Sequence, residues 1–158
     1  MMLLLKIEDC KMMNIFLDTC SLVKLYHKET GTEELEKMFS EIKITKIFLS
    51  EISKIEFTST IWKKVRTKEI LERNAQITLN FFEIDFDKYT FIPTKPAIIE
   101  LARTLTSKYK VEGLRTLDSV QLSTCVSLIK QVDIFITADK LLKTLFQAEN
   151  LPIEISKF

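Results

Sequence analysis

The chain has 158 residues, 46% of them hydrophobic, and a formal net charge of +1. That length suits one domain with a real core, and so balanced a charge excludes binding of nucleic acid by a global positive field, leaving only local patches. Two glycines and three prolines leave no room for a flexible linker or low-complexity segment, and no internal repeat is visible.

Met1–Leu5 is apolar but far too short to span a membrane or to form the core of a signal peptide, so no membrane association is expected. Residues 1–12 are read as an N-terminal extension, ahead of a domain over 13–158. The extension is either the product of an early start codon or an ordinary extra strand or helix turn. Cys10, Cys20 and Cys125 are odd in number and form no CxxC pair, which excludes a disulfide scaffold and a zinc knuckle. Cys20 and Cys125 fall in apparent helices and read as small buried apolar residues. Thiols of this kind suit a reducing cytosol, so a cytoplasmic protein is expected.

Asn14-Ile15-Phe16-Leu17 reads as a short buried strand that ends abruptly in Asp18. Thr19 and Ser21 open a helix, and Leu22, Val23, Leu25 and Tyr26 continue it to a stop near Gly31. A second helix runs from Thr32 to about Ile42. Ile47-Phe48-Leu49 is a second strand. Ser50 caps a helix carrying Ile52, Ile55, Trp62 and Val65 at helical spacing, and the pattern continues from Arg66 to about Phe82. Thr90-Phe91-Ile92 is a third strand. Pro96 suits the first turn of the next helix, and Gly113 ends the connection that follows. Thr116 caps a helix through Ile129. Ile134-Phe135-Ile136 is the clearest strand, with a helix from Lys140 to about Ala148 behind it. Pro152-Ile153-Glu154-Ile155 reads as a last strand. Strands alternating with helices predict an α/β fold, a three-layer α/β/α sandwich with a mostly parallel central sheet.

Four acids stand at or near the predicted C-terminal edge of that sheet: Asp18, Glu56, Asp118 and Asp139. Each has a bland explanation. Asp18 and Asp139 suit helix N-caps, Asp118 complements the positive end of a helix, and Ser53-x-x-Glu56 matches a capping box. Together they are a different matter, because the fold gathers them. Crowded carboxylates repel and raise one another's pKa, a cost that a cation removes. Mg2+ suits oxygen ligands and retained waters best, with Mn2+ as its substitute.

The stretch Phe16-Leu17-Asp18-Thr19-Cys20-Ser21-Leu22-Val23-Lys24-Leu25-Tyr26 resembles the opening motif of PIN-domain ribonucleases, above all the VapC-type toxins of toxin–antitoxin pairs. Ser50-Glu51-Ile52-Ser53-Lys54-Ile55-Glu56 is similar to their second motif. Leu114 to Leu122 resembles the third, with Asp118 as the acid. Thr137-Ala138-Asp139-Lys140-Leu141-Leu142 resembles the fourth. The four motifs stand in the family's order from about Met13 to the C-terminus, and the family often has His where this chain has Gln121, a position that usually either backs a site residue or is structural.

The resemblance implies a PIN-like fold and a Mg2+-dependent endoribonuclease that hydrolyses RNA phosphodiester bonds, the toxin of a toxin–antitoxin pair. It further implies catalytic and metal roles for Asp18, Glu56, Asp118 and Asp139. Substrate or supporting roles fall to Thr19, Ser21, Thr137 and Arg115. A homodimer blocked by a cognate antitoxin protein is the implied assembly. A stand-alone RNA-processing nuclease and an inactive PIN-like scaffold are the alternatives.

A haloacid-dehalogenase-like phosphatase needs a second Asp where Cys20 stands, and a receiver domain needs paired acids where Asp18 is alone. His27, the only histidine, reads as a surface residue. Trp62 reads as core, within a basic segment Trp62–Lys68 whose lysines are either phosphate contacts for RNA or a solvated helix face. Arg115, Lys24 and Lys140 flank the acids and are the better candidates for phosphate contacts.

Overall fold

The computed structural model describes residues 12–154. Four strands, β1 Met12–Leu17, β2 Lys43–Ser50, β3 Tyr89–Ile92 and β4 Ile134–Ile136, form one all-parallel sheet in the order β3-β2-β1-β4. Between and after them lie α1 Thr19–Val23, α2 Thr32–Ser40, α3 Ser53–Arg66, α4 Glu72–Ile84, α5 Pro96–Lys108, α6 Thr116–Ser127 and α7 Lys140–Ala148. A parallel sheet covered on both faces has strands that read as continuous apolar runs, which is why Ile15-Phe16-Leu17 and Ile134-Phe135-Ile136 show no polar alternation.

Successive side chains in a strand point to opposite faces, and two cores follow. Ile15, Leu17, Leu49, Ile134 and Ile136 meet α1 to α4 through Leu22, Leu35, Phe57, Ile61, Leu79 and Phe82. Phe16, Phe48 and Phe135 meet α5 to α7 through Leu105, Leu122, Cys125, Leu142 and Phe146. Helix α6 is buried all round from Ser119 to Cys125, because its other side packs on Ile98 and Ala102 of α5 through Val120. Among the described residues no helix is long and apolar enough to cross a membrane.

Several element boundaries differ from the sequence reading, each for a local reason. Helix α1 stops at Val23, and the chain leaves it in turns stapled by Lys24, whose Nζ reaches Glu29 Oε1 at 3.0 Å and the Thr30 carbonyl at 2.6 Å. Gly31 is then the N-cap of α2, at φ 91°, rather than the stop of α1. Ser50 belongs to β2, so it does not cap α3; that helix starts at Ser53 with Ile52 at its N-cap. In the resulting register Ser53, Phe57 and Ile61 are buried one turn apart, and Ile55 faces solvent at 74% exposure.

Helices α3 and α4 are separate. The Thr67 hydroxyl bonds to Lys63 O and to Glu69 Oε1, and Lys68 adopts a left-handed φ of 61°. Side-chain bonding of the last carbonyls and a left-handed residue are what end a helix. Arg115, not Thr116, is the N-cap of α6. The described part of the expected last strand, Pro152–Glu154, is not a strand. Its one bond to β4 runs from Phe135 N–H to Pro152 O at 2.8 Å, and proline has no N–H with which to continue a ladder. Ile155 lies outside the described residues, as does the proposed extension apart from Met12, which opens β1.

The docking of α3 can be tested mildly. Ile61 is fully buried against the first core. Ile61→Val should cost about 0.5–1.5 kcal/mol, measured by urea unfolding.

Candidate functional site

The chain builds β1, β2 and β3 outward in one direction, then returns to place β4 on the other side of β1. Ligands of open α/β sheets bind beyond the strand C-termini where the order reverses in this way. That point lies between β1 and β4, and the residues leaving those two strands are Asp18 and the Thr137–Asp139 turn. Asp18 N–H donates to Ile136 O at 3.2 Å, which fixes the two strand ends side by side.

Both acids are helix caps, as the bland reading expected, but capping uses one oxygen of each. Asp18 Oδ1 accepts from Ser21 N–H at 2.8 Å, and Asp139 Oδ1 accepts from Leu142 N–H at 2.8 Å. The Thr137 hydroxyl joins them. It donates to Asp18 Oδ2 at 2.5 Å and accepts from Asp139 N–H at 3.0 Å. Glu56 is no cap. Its Oε2 accepts from the Thr19 hydroxyl and from Gln121 Nε2, both at 2.6 Å. No capping box forms, because Ser53 already lies inside α3 and its hydroxyl bonds Thr19 and Gln121 instead. Asp118, in the first turn of α6, accepts from Arg115 Nε at 2.8 Å.

All four acids line one cleft of about 270 Å³, together with Thr19, Cys20, Glu29, Thr60, Lys64, Arg115 and Gln121. A larger hollow of about 520 Å³ lies between α5 and α6. Its charged side chains, Glu100 and Arg103, pair with each other at 2.7 Å, so the smaller cleft is the chemical one.

Asp18 is 2% exposed, and among the described residues it makes no ion pair. Burial pushes its carboxyl up to about 6, against the pull of the bonds from Thr137 and Ser21, and the charge of Asp139 adds to the rise. The cations nearby are taken. Lys64 pairs with Glu29 at 2.8 Å and Glu69 at 3.1 Å, and Arg115 pairs with Asp118. Partial desolvation, joined by the charges of Asp18 and Asp139, pushes the Cys20 thiol up to about 11, so it is no thiolate nucleophile.

A divalent ion suits this donor set. All the candidate ligands are hard oxygens, and among the described residues no cation pairs with the buried Asp18 carboxylate. Among the described residues no three acids, histidines or cysteines are gathered as a ready cage. Mg2+ does not require one, since it is held by one or two carboxylates, waters and substrate phosphates.

The other expected residues divide. Thr19, Thr137 and Arg115 lie at the acids. Ser21 touches Asp18 through its N–H and is itself buried. Lys24 is spent on Glu29 and Thr30, and neither it nor Lys140 lines the cleft. Cys125 is buried as expected, but Cys20 is exposed, because α1 turns that position towards the cleft rather than the core. Trp62 packs on the first core. His27 is outside the cleft. The sequence reading missed Thr60 and placed Lys64 only within a basic segment, although both follow Glu56 at the four-residue spacing that lines up one helix face. Glu29 comes from a loop and leaves no local signal.

This fold has close parallels. The structure of VapC20 from Mycobacterium tuberculosis, a toxin that cleaves the sarcin–ricin loop, superposes with a TM-score of 0.64 at 12% identity, over 83% of this chain and 94% of that one. FitAcB from Neisseria gonorrhoeae gives 0.66 at 14%, over 88% and 95%. VapBC2 from Rickettsia felis, bound to a DNA fragment from its promoter, gives 0.60 at 16%, over 90% and 98%. At such identities the likeness is one of fold. No curated protein matches the sequence. The family model for the PIN domain matches residues 15–145, a span that runs from within β1 through β4 and takes in every acid of the cleft, and the chain therefore belongs to the PIN-domain family.

Proposed function

We propose that this protein is a metal-dependent endoribonuclease that hydrolyses RNA phosphodiester bonds, the toxin of a toxin–antitoxin pair, with Mg2+ as its metal and Mn2+ as substitute. The observation that carries the reading is the cleft itself, where buried Asp18 makes no ion pair among the described residues and shares the lining with Asp139, Glu56 and Asp118. Asp18, Glu56, Asp118 and Asp139 would hold the metal, with Asp18 and Asp139 as the pair most in need of it. When bound, such an ion lowers the pKa of water and offsets charge building up on the phosphate.

The chain's own groups have separable tasks. Thr137 fixes the Asp18 carboxylate in its orientation. The Arg115 guanidinium, 74% exposed and held at one nitrogen by Asp118, is free to turn its other donors to a phosphate. Glu56 accepts a hydrogen bond from the attacking water and orients it. Thr60 and Lys64 continue the same face of α3 from Glu56 along the cleft. The likeness to toxin structures and toxin–antitoxin assemblies supports a protein antitoxin as partner, and a homodimer is the corresponding assembly.

The test is cleavage of total cellular RNA by metal-stripped protein. Cleavage should be absent in EDTA and return with Mg2+ or Mn2+. The same ions should raise the melting temperature, because they bind the folded state preferentially. RNA left whole at saturating metal, or a melting temperature that ignores both ions, refutes the reading.

A further inference from the structure

Gln121 is 2% exposed in the middle of α6, and its amide is satisfied on one side only. Nε2 lies 2.6 Å from Glu56 Oε2, 3.1 Å from the Thr19 hydroxyl and 3.2 Å from the Ser53 hydroxyl. Oε1 is buried with no partner among the described residues. Turning the amide over would set its carbonyl oxygen against the carboxylate, two acceptors with no proton between them. The unpartnered Oε1 is thus the consequence of aiming the amide's hydrogens at Glu56.

That arrangement is a poor one for stability alone. A buried unmet carbonyl carries a desolvation cost, offset only by the bonds that the amide's hydrogens make. What the arrangement achieves is local to Glu56. Two donors, Gln121 Nε2 and the Thr19 hydroxyl, converge on Oε2 from α6 and α1. Oε1 is the oxygen left over. Gln121 also stands one turn beyond Asp118 on α6, so one helix carries both an acid of the cleft and the clamp on another.

We propose that Gln121 is a positioning residue for Glu56: together with Thr19 it pins one carboxylate oxygen and leaves the other for the reaction. This inference rests on the nuclease reading above. Loss of a partner that orients a metal-site ligand typically costs 10–100-fold in affinity or activity, and that range is the expected effect.

The experiment is Gln121→Met, close in shape but without donors, in the full-length protein. The rate constant for RNA cleavage, kcat, should fall about 10–100-fold. KM for RNA should stay near the wild-type value, since the clamp does not touch the substrate backbone. The Mn2+ concentration giving half of the thermal stabilisation should rise, beyond whatever change the lost hydrogen bonds make to the melting temperature in EDTA. If the Met variant fails to fold, Thr19→Val removes the other donor to the same oxygen and should give the same signature.

Wild-type kcat and an unshifted Mn2+ midpoint in a folded variant overturn the proposal. A loss of kcat with an unshifted Mn2+ midpoint overturns it too, because a packing role leaves the metal affinity of the folded variant unchanged. If the wild type is stabilised by Mn2+ but cleaves no RNA, the nuclease reading fails by itself, and the midpoint shift alone decides the clamp. A wild type that neither cleaves nor gains stability from Mn2+ overturns both.

Discussion

Asp118→Asn should lower RNA cleavage by on the order of 100-fold or more, the scale on which removal of a single electrostatic group slows an enzyme, and leave the protein folded. The substitution keeps size and most hydrogen bonding and removes one charge. Asp118 is not the N-cap of α6, which is Arg115, so no capping bond is lost. What the fold loses is a favourable charge near a helix N-terminus, typically 0.3–1 kcal/mol. It also loses the pair with Arg115, whose side chain is 74% exposed, and exposed pairs contribute little. A purely structural Asp118 therefore predicts a small change in stability and none in cleavage. Cleavage of total RNA, with circular dichroism to confirm the fold, separates the two outcomes. Wild-type metal-dependent cleavage by the folded variant would remove Asp118 from the site.

Asp18→Asn should abolish cleavage and, in the same protein, raise stability at neutral pH in EDTA. Burial lifts the Asp18 carboxyl from its ordinary 3.8 to about 6, a displacement worth about 3 kcal/mol once the group is ionised. The folded protein binds this proton more tightly than the unfolded chain does. Stability on this account is therefore greatest below pH 3.8, falls as pH rises to about 6, and is level above that.

Asn stays neutral across the whole window and still caps α1 through its carbonyl oxygen, with the Thr137 hydroxyl left to accept from its amide. The advantage of the variant should be absent at the acid end and full above about pH 6. Added Mg2+ should stabilise the wild type and not the variant, closing or reversing the gap. Urea unfolding in EDTA and in Mg2+, repeated across that window, measures both. A variant less stable than the wild type above pH 6 would show that the Asp18 charge is compensated within the fold.

The opposite signs of these effects bear on how the site was legible before any coordinates. Capping and function are not rivals at Asp18 and Asp139. Each carboxylate gives one oxygen to its helix and keeps the other for the cleft or for Thr137. A sequence shows only the residue, so it offers the two roles as alternatives where geometry combines them.

The sequence by itself determined the alternation of strands and helices, the parallel sheet and the four acids. These rest on local signals: apolar runs of strand length, helical spacing, and polar residues at the ends of strands. Boundaries that depend on one side chain bonding one carbonyl, as at Thr67 and Lys24, were not legible, because such bonds compete with helix continuation on small margins. Ile55 was placed wrongly because α3 begins later than its apparent cap Ser50 suggests, and Cys20 because the side of α1 that carries it borders the cleft rather than the core. Only the tertiary structure decided that β4 returns beside β1 and so sets Asp139 against Asp18. It alone decided that Lys64 is tied to Glu29 and Glu69, and that Gln121 turns its N–H₂ to Glu56 at the expense of its own carbonyl. Each of these joins residues from different elements of the chain, and no periodicity within a single segment records what a neighbouring segment places opposite it.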